Sequence, residues 1–195
     1  MVTVERWTTA DLERFPDADD LRYEIIQGAL HVTKAPNIYH QIVASRLVAS
    51  LGAWCAAHGH GHAIAAPGII LDDDDNLIPD VVWMSAERLA MALRPDGKLH
   101  AVPELVIEVL SPGTLNVQRD RVEKRVVYGR QGAAEYWLVD WPQRTLEIYR
   151  SDGVGTLQRI TTLAEVDTVQ SPLLPGFAQP LAAIFAGVPA DNDGW

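Results

Sequence analysis

Three segments decide how this chain is read: Ile78-Pro-Asp-Val-Val-Trp83, Pro103-Glu-Leu-Val-Ile-Glu-Val-Leu-Ser111 and Arg119-Asp-Arg-Val-Glu-Lys124. The first two are short apolar runs, the pattern of buried strands, and each carries an acid, Asp80 or Glu108. The third belongs to a predicted helix with a lysine part-way along it. A carboxylate inside a buried strand is costly unless something pairs with it. Here the partner could be a metal ion, Lys124 or both. A second reading leaves each acid at a strand end, solvated or bound to an arginine.

Outward from that stretch the pattern alternates strands and helices. Thr8 or Thr9 caps a short helix through Arg14 that stops near Pro16, and Asp17–Asp20 reads as a solvated loop. Arg22–Gln27 and Ala29–Thr33 flank Gly28 as a hairpin. From Asn37 to His58 the spacing is helical, with Ile42, Leu47, Leu51 and Trp54 on the apolar side and Gly59 at the end. Residues 62–71 read as a strand interrupted by Pro67-Gly68, 72–76 as a loop and 78–84 as a strand. Ser85 caps a helix to about Leu93, and 105–110 is a strand covered on both faces.

A helix is expected over 114–130, with Gly132 beyond its end. Strands follow at 135–140, 145–149 and 155–161, then a closing helix at 180–186 and a frayed end at 191–195. No repeat, linker or low-complexity tract interrupts this order. The expectation is one α/β domain over 1–195, its core spanning about 20–150.

Composition narrows the function classes. The chain has 195 residues, 48% of them hydrophobic, enough for a substantial core. No run approaches the roughly 20 apolar residues of a membrane span, and no secretory signal pattern opens the chain. The single cysteine, Cys55, rules out an intramolecular disulfide framework. A cytoplasmic protein without a membrane partner is expected.

The formal charge of −10 argues against a general nucleic-acid coat. Yet Pro112–Arg150 holds seven basic residues against five acids, while the rest holds nine against twenty-one. A locally basic face could meet a polyanion weakly, with help from divalent ions.

The chemistry turns on phase. Residues 80, 82 and 84 share one strand face, as do 106, 108 and 110. Neighbouring strands lie about 5 Å apart, so acids in register could hold one divalent ion. Carboxylates alone suit a hard ion such as Mg²⁺ or Mn²⁺. At 100° per residue, Val117, Asp120, Lys124 and Tyr128 fall on one helix stripe. Lys124 there either snorkels to the stripe's edge or points into a site holding the two acids. Asp120 could simply pair with Lys124 one turn on. Val122 and Val126 form a second apolar strip on the opposite side. Arg121 and Arg125 read as surface charges with a possible phosphate contact.

Cys55, His58, His60 and His62 invite a zinc reading, but structural zinc prefers two or more thiolates at fixed spacing. Asp72–Asp75 lacks the alternating ligands and glycine of a calcium loop.

Together these residues resemble a family. Pro79-Asp80, Glu108-Val-Leu-Ser-Pro112, Asp120 with Lys124 and Tyr128, and Glu135-Tyr-Trp-Leu-Val-Asp140 are similar to the Uma-type family of bacterial restriction-endonuclease-like proteins, domain of unknown function 820. Tyr23-Glu-Ile-Ile-Gln-Gly28 and His40 match its N-terminal signature, and the resemblance covers about residues 20–150. It implies a restriction-endonuclease-like core of the PD-(D/E)XK superfamily, a central mixed β-sheet flanked by helices.

By the same resemblance Asp80 and Glu108 are metal-binding acids, with Glu24 a candidate third carboxylate. Leu110 stands where that superfamily's lysine is expected, and Lys124 on the next helix matches the family's displaced lysine. Glu104 and Gly113 replace a common aspartate and serine without removing a proposed ligand. The implied activity is Mg²⁺-dependent hydrolysis of DNA phosphodiesters, with Lys124 positioning or helping to deprotonate the attacking water. A homodimer would let two sites cut two strands. His40, on the long helix, reads as a hydrogen-bonded histidine or as a group near the site. A non-catalytic acidic interaction module on the same fold is the competing expectation.

Overall fold

The computed structural model describes residues 6–15, 21–111 and 113–190. The expected loop at 17–20, the helix stop at Pro16 and the closing residues 191–195 lie outside them. A short 3₁₀ helix (Thr9–Arg14) is capped by Thr8, whose hydroxyl meets Asp11 Oδ2 at 2.8 Å.

β1 (Leu21–Ile26) and β2 (Ala29–Lys34) form the predicted hairpin. Gln27 (φ 51°) and Gly28 (φ 80°) are both left-handed, the turn that matches strand twist, and glycine relieves the second position. α1 (Ile38–His58) begins at Asn37, whose side chain accepts from Tyr39 N, and ends at left-handed Gly59. Its buried stripe is His40, Val43, Ala44, Leu47, Leu51 and Trp54. Ile42 sits at the edge of that stripe, only partly buried.

The predicted strand at 62–71 is two strands in two sheets: β3 (His62–Ala65) and β4 (Ile69–Asp72). Pro67, which lacks an amide proton, and Gly68 break the ladder and let the chain cross between the sheets. The predicted loop at 72–76 also needs correction, because β5 (Asp75–Leu77) starts inside it. Asp75 is fully buried there, accepting from Gln27 N and pairing with Arg130, while β4 and β5 pair as an antiparallel hairpin across this acidic stretch. β6 is Val81–Met84, shorter than expected, so Asp80 stands just before the strand.

α2 (Ala86–Ala92) is capped by Ser85 as predicted. β7 (Leu105–Val109) is buried throughout. The helix that follows runs as α3 (Thr114–Gln118), a π segment (Arg119–Lys124) and α4 (Arg125–Arg130). Then come β8 (Glu135–Asp140), β9 (Thr145–Ser151), β10 (Leu157–Ala164), the two-residue pair β11 (Thr168–Val169) and β12 (Gln179–Pro180), and α5 (Leu181–Phe185).

The central sheet is six-stranded and mixed, in the order β10-β9-β8-β7-β6-β3, with β7 and β8 parallel. A four-stranded sheet, β2-β1-β5-β4, lies beside it. Alternation sorts the core. Val81, Trp83, Ile107, Val109, Trp137 and Val139 pack with α1 and α5. Val82, Met84, Val106, Leu110, Tyr136 and Leu138 pack on the other face with Val127 and Tyr128 of α4 and with Ile26 and Leu77 of the smaller sheet. Burying each aliphatic side chain contributes about 1.5–3 kcal/mol.

Gly129 lets α4 sit close to the sheet, since a Cβ there would lie 2.9 Å from Gly155 O. This close approach fixes the helix that carries Lys124. No helix among the described residues is long and apolar enough to cross a membrane.

Candidate active site

The register Val81↔Ile107, Val82↔Val106, continued one step, sets Asp80 opposite Glu108. Glu108 keeps its place in the ladder and points with Val106 and Leu110 toward α4. Asp80 has left the strand, and its side chain closes the end of the sheet instead. Asp80 Oδ2 accepts from Val109 N at 2.8 Å and from His40 Nε2 of α1 at 3.0 Å. Its other oxygen, Oδ1, has Arg22 Nη1 of β1 at 3.6 Å.

On the opposite face a second group converges. Glu24 lies on the same side of β1 as Arg22, two residues along, and its Oε1 accepts from Ile78 N at 2.8 Å. Lys124 Nζ lies 2.8 Å from Glu24 Oε1, 3.0 Å from Glu108 Oε1 and 3.8 Å from Asp120 Oδ1. Tyr128 donates its hydroxyl to the same Glu108 oxygen at 3.1 Å. Arg119 grips both oxygens of Asp120, at 2.8 and 3.2 Å, and Tyr136 donates to the Asp120 carbonyl at 2.7 Å. The Lys124 side chain is 2% exposed, so it does not snorkel out.

Helical phase predicted Asp120, Lys124 and Tyr128 on one inward stripe, and they are. Arg119 was missed. In an ordinary α-helix it would be rotated well away from Lys124. The π segment widens the turn and lets Arg119 and Asp120 both face inward, a departure common at functional sites. His40 carried a signal in the sequence: it heads the three-and-four spacing of the buried α1 stripe.

Arg121 and Arg125 face elsewhere. Arg121 pairs with Glu147, and Arg125 donates to Leu157 O at 2.7 Å and lies over the Tyr149 ring. Val122 and Val126 are 45% and 47% exposed.

The electrostatics follow from burying many charges together. Burial pushes the Glu108 carboxyl well above its usual range; Lys124 opposes this, while Asp80, Asp120 and Glu24 add to it. Burial also raises Asp80, but the His40 hydrogen bond, the nearby cations and Val109 N–H outweigh it and hold Asp80 below its usual value. Asp120 is raised by burial despite Lys124 and Arg119. Burial works against the Lys124 cation, yet Glu108, Glu24 and Asp120 outweigh it and hold its pKa above the ordinary lysine value. Glu108 and Lys124 thus both shift upward, whereas an ion pair by itself would lower the acid. One ammonium shared among three carboxylates is firmly charged, whereas each acid receives only part of its compensation.

Glu24, His40, Asp80, Glu108, Arg119, Asp120 and Lys124 line one narrow cleft of about 30 Å³, room for roughly a single water-sized group. Its donors suit a hard divalent cation, because Asp80 Oδ1 and Glu108 Oε2 are the oxygens not engaged by Val109, His40, Lys124 or Tyr128. Among the described residues no three His, Cys, Asp or Glu side chains converge as a ready ligand set. An ion here would therefore rest on two carboxylates, backbone and water. The same finding leaves Cys55, His58, His60 and His62 without a zinc cluster; His58 instead stacks on Trp54 and bonds its carbonyl.

A family model described as "Uma2: Putative restriction endonuclease" matches residues 9–183. A crystal structure from Anabaena variabilis, described as a putative nuclease belonging to DUF820, superposes with a TM-score of 0.73 at 18% identity, covering 91% of this chain and 97% of the other. No curated protein matches.

Proposed function

Because the chain belongs to the Uma2 family, described as "Putative restriction endonuclease", we propose that its buried acid–lysine cleft hydrolyses DNA phosphodiester bonds with the help of a divalent ion. The observation that carries this reading is the placement of Asp80 and Glu108 across one strand register with Lys124 Nζ 3.0 Å from Glu108. Asp80 and Glu108 would hold Mg²⁺ or Mn²⁺, with the Val109 carbonyl as a further oxygen donor. When bound, the ion supplies Lewis-acid stabilisation of charge on the phosphoryl oxygen.

Lys124 acts as a cation rather than as a base, since the acids around it keep it protonated. Its ammonium orients the attacking water by hydrogen bonding and stabilises charge building on the phosphate. Glu24 and Tyr128 keep the cluster in register, Glu24 from the lysine side and Tyr128 from the Glu108 side. Water adds to phosphorus and the sugar oxygen leaves, so one P–O bond forms and one breaks; the proton lost by the attacking water goes to solvent, and the leaving sugar oxygen takes one from solvent. Nearly all the acceleration comes from the ion and from positioning, because the uncatalysed reaction is extremely slow. The acidic chain binds DNA weakly and in a salt-sensitive manner, and two chains act together on a duplex.

Plasmid incubated with Mg²⁺ or Mn²⁺ tests this. Nicking or linearisation is expected from the wild type and not from Asp80→Ala or Lys124→Ala. Cleavage that survives both substitutions comes from a contaminant and removes the proposal.

A second reading, an acidic interaction module, is favoured by the way Lys124 already pairs with Glu24 and Glu108 and by the exposed Val122 and Val126. Calorimetric titration with Mg²⁺ separates the two. A module gives no heat from the Asp80–Glu108 site, whereas the nuclease gives heat that Asp80→Ala removes.

A further inference from the structure

The cleft is lined by four acids and four cations: Glu24, Asp80, Glu108 and Asp120 against Arg22, Lys34, Arg119 and Lys124. Their commitments differ. Arg119 is fixed in a two-bond fork on Asp120, and Lys124 is shared among three carboxylates. Both are buried: Arg119 cannot turn to a ligand without leaving Asp120 uncompensated, and Lys124, spent on Glu24 and Glu108, keeps only its donor toward Asp120, at 3.8 Å, for the attacking water. Arg22 is different. Its side chain is 30% exposed, and among the described residues its ion-pair contact is Asp80 Oδ1 alone, at 3.6 Å, beyond good hydrogen-bond length.

Arg22 also stands where two cavities meet. It lines the narrow acid cleft together with Asp80, and the same two residues line a neighbouring groove of about 260 Å³ between α1 and the segment after β3. The guanidinium therefore sits at the mouth, beside the Asp80 oxygen that His40 and Val109 leave free. Arg22 is held there by the β1–β2 ladder, paired with Thr33. A cation held by Asp80 would compete with Arg22 for that carboxylate and weaken this contact. The guanidinium then has a planar fork of N–H donors ready for two oxygens of an anion.

Resting on the nuclease reading, we propose that Arg22 is a substrate-contacting residue that binds a non-bridging oxygen of the phosphodiester. It supplies no proton and holds no metal. It brings positive charge to the mouth of the cleft, where the buried Arg119 and Lys124 are already committed to carboxylates.

The test separates phosphate contact from support of Asp80. Arg22→Ala and Arg22→Lys are assayed on bis(p-nitrophenyl) phosphate, a diester without sugar or base, and Mn²⁺ affinity is measured by electron paramagnetic resonance. For Arg22→Ala, kcat/KM should fall by about 100-fold, the size expected for one donor on developing charge. Its Mn²⁺ affinity should hold or tighten, because a like charge has been removed beside the ion. Arg22→Lys should recover part of the rate.

Unchanged kcat/KM in Arg22→Ala overturns the proposal. So does a loss of Mn²⁺ affinity parallel to the loss of rate, which would make Arg22 a prop for Asp80. A wild-type chain that binds Mn²⁺ but hydrolyses neither this ester nor plasmid overturns the nuclease reading and this proposal with it.

Discussion

His40 Nε2 lies 3.0 Å from Asp80 Oδ2, joining the long helix on one face of the sheet to the acid that closes the sheet's end. With Val109 N–H on the same oxygen, the imidazole fixes the carboxylate plane and leaves Oδ1 toward the cleft. Partners that orient a metal ligand are typically worth 10–100-fold in affinity. His40→Ala is therefore expected to weaken Mn²⁺ binding by about that factor. His40→Gln, whose amide nitrogen can reach the same oxygen, should restore most of it. Equal affinity in the wild type and His40→Ala would make the contact merely structural.

Lys124 is expected to matter for stability as well as for chemistry. Removing it leaves Glu24, Glu108 and Asp120 buried with less compensation, and breaking a buried pair this way costs about 3–5 kcal/mol. Urea unfolding of Lys124→Ala should show a loss of that order. Adding Glu108→Gln should recover part of it, since one unpaired charge disappears; a purely additive double mutant would contradict the coupling.

The positions of Asp80, Glu108 and Lys124 were legible because apolar runs interrupted by charge are rare and the strand and helix periods place them. The ends of elements were less so. Asp80 was expected inside a strand, yet it lies one residue outside, and that displacement is what lets it reach His40 across the sheet. Asp75 was read as loop because four aspartates look solvated; Arg130, from a distant helix, makes its burial tolerable. Arg119 was invisible because a fixed 100° step cannot anticipate a π segment. The first two misses came from contacts between residues far apart in sequence, where local pattern gives no information, and the third from a local change of helix type.

The shifted acids give a pH dependence whose sign can be worked out. Glu108 is raised above its ordinary 4.5, so the folded state holds that proton more tightly than the unfolded chain does. Its contribution to stability is greatest below that value and falls as pH rises through the window above it. Asp80 is lowered from 3.8, so its contribution is present above that value and lost as pH falls through the folded pKa. Lys124 is raised from 10.5; its contribution is complete below that value and lost as pH rises through the folded pKa.

A proton on Glu108 also competes with a metal ion. Mn²⁺ affinity should therefore keep climbing with pH above about 5, in the range where an ordinary glutamate has already ionised. A flat affinity profile over that range would contradict the raised Glu108.

Glu135 is the contrasting case: an acid as buried as Glu108, in the parallel neighbour of its strand, but fully used by the fold. Its Oε1 accepts from Trp137 Nε1 at 2.8 Å and has Arg150 Nη2 at 3.7 Å, and its Oε2 accepts from Ser171 Oγ at 2.6 Å. Ser171 begins the segment that carries Leu174, Phe177 and α5 into the core on the α1 face. Glu135 thus pins the C-terminal segment to β8. Glu135→Ala strands two buried donors, each worth about 1–3 kcal/mol, so a loss on the order of 3 kcal/mol is expected in urea unfolding. Mn²⁺ affinity of the folded protein should not change, because Glu135 lies outside the cleft. Reduced affinity without reduced stability would reverse the assignment and place Glu135 among the residues serving the ion.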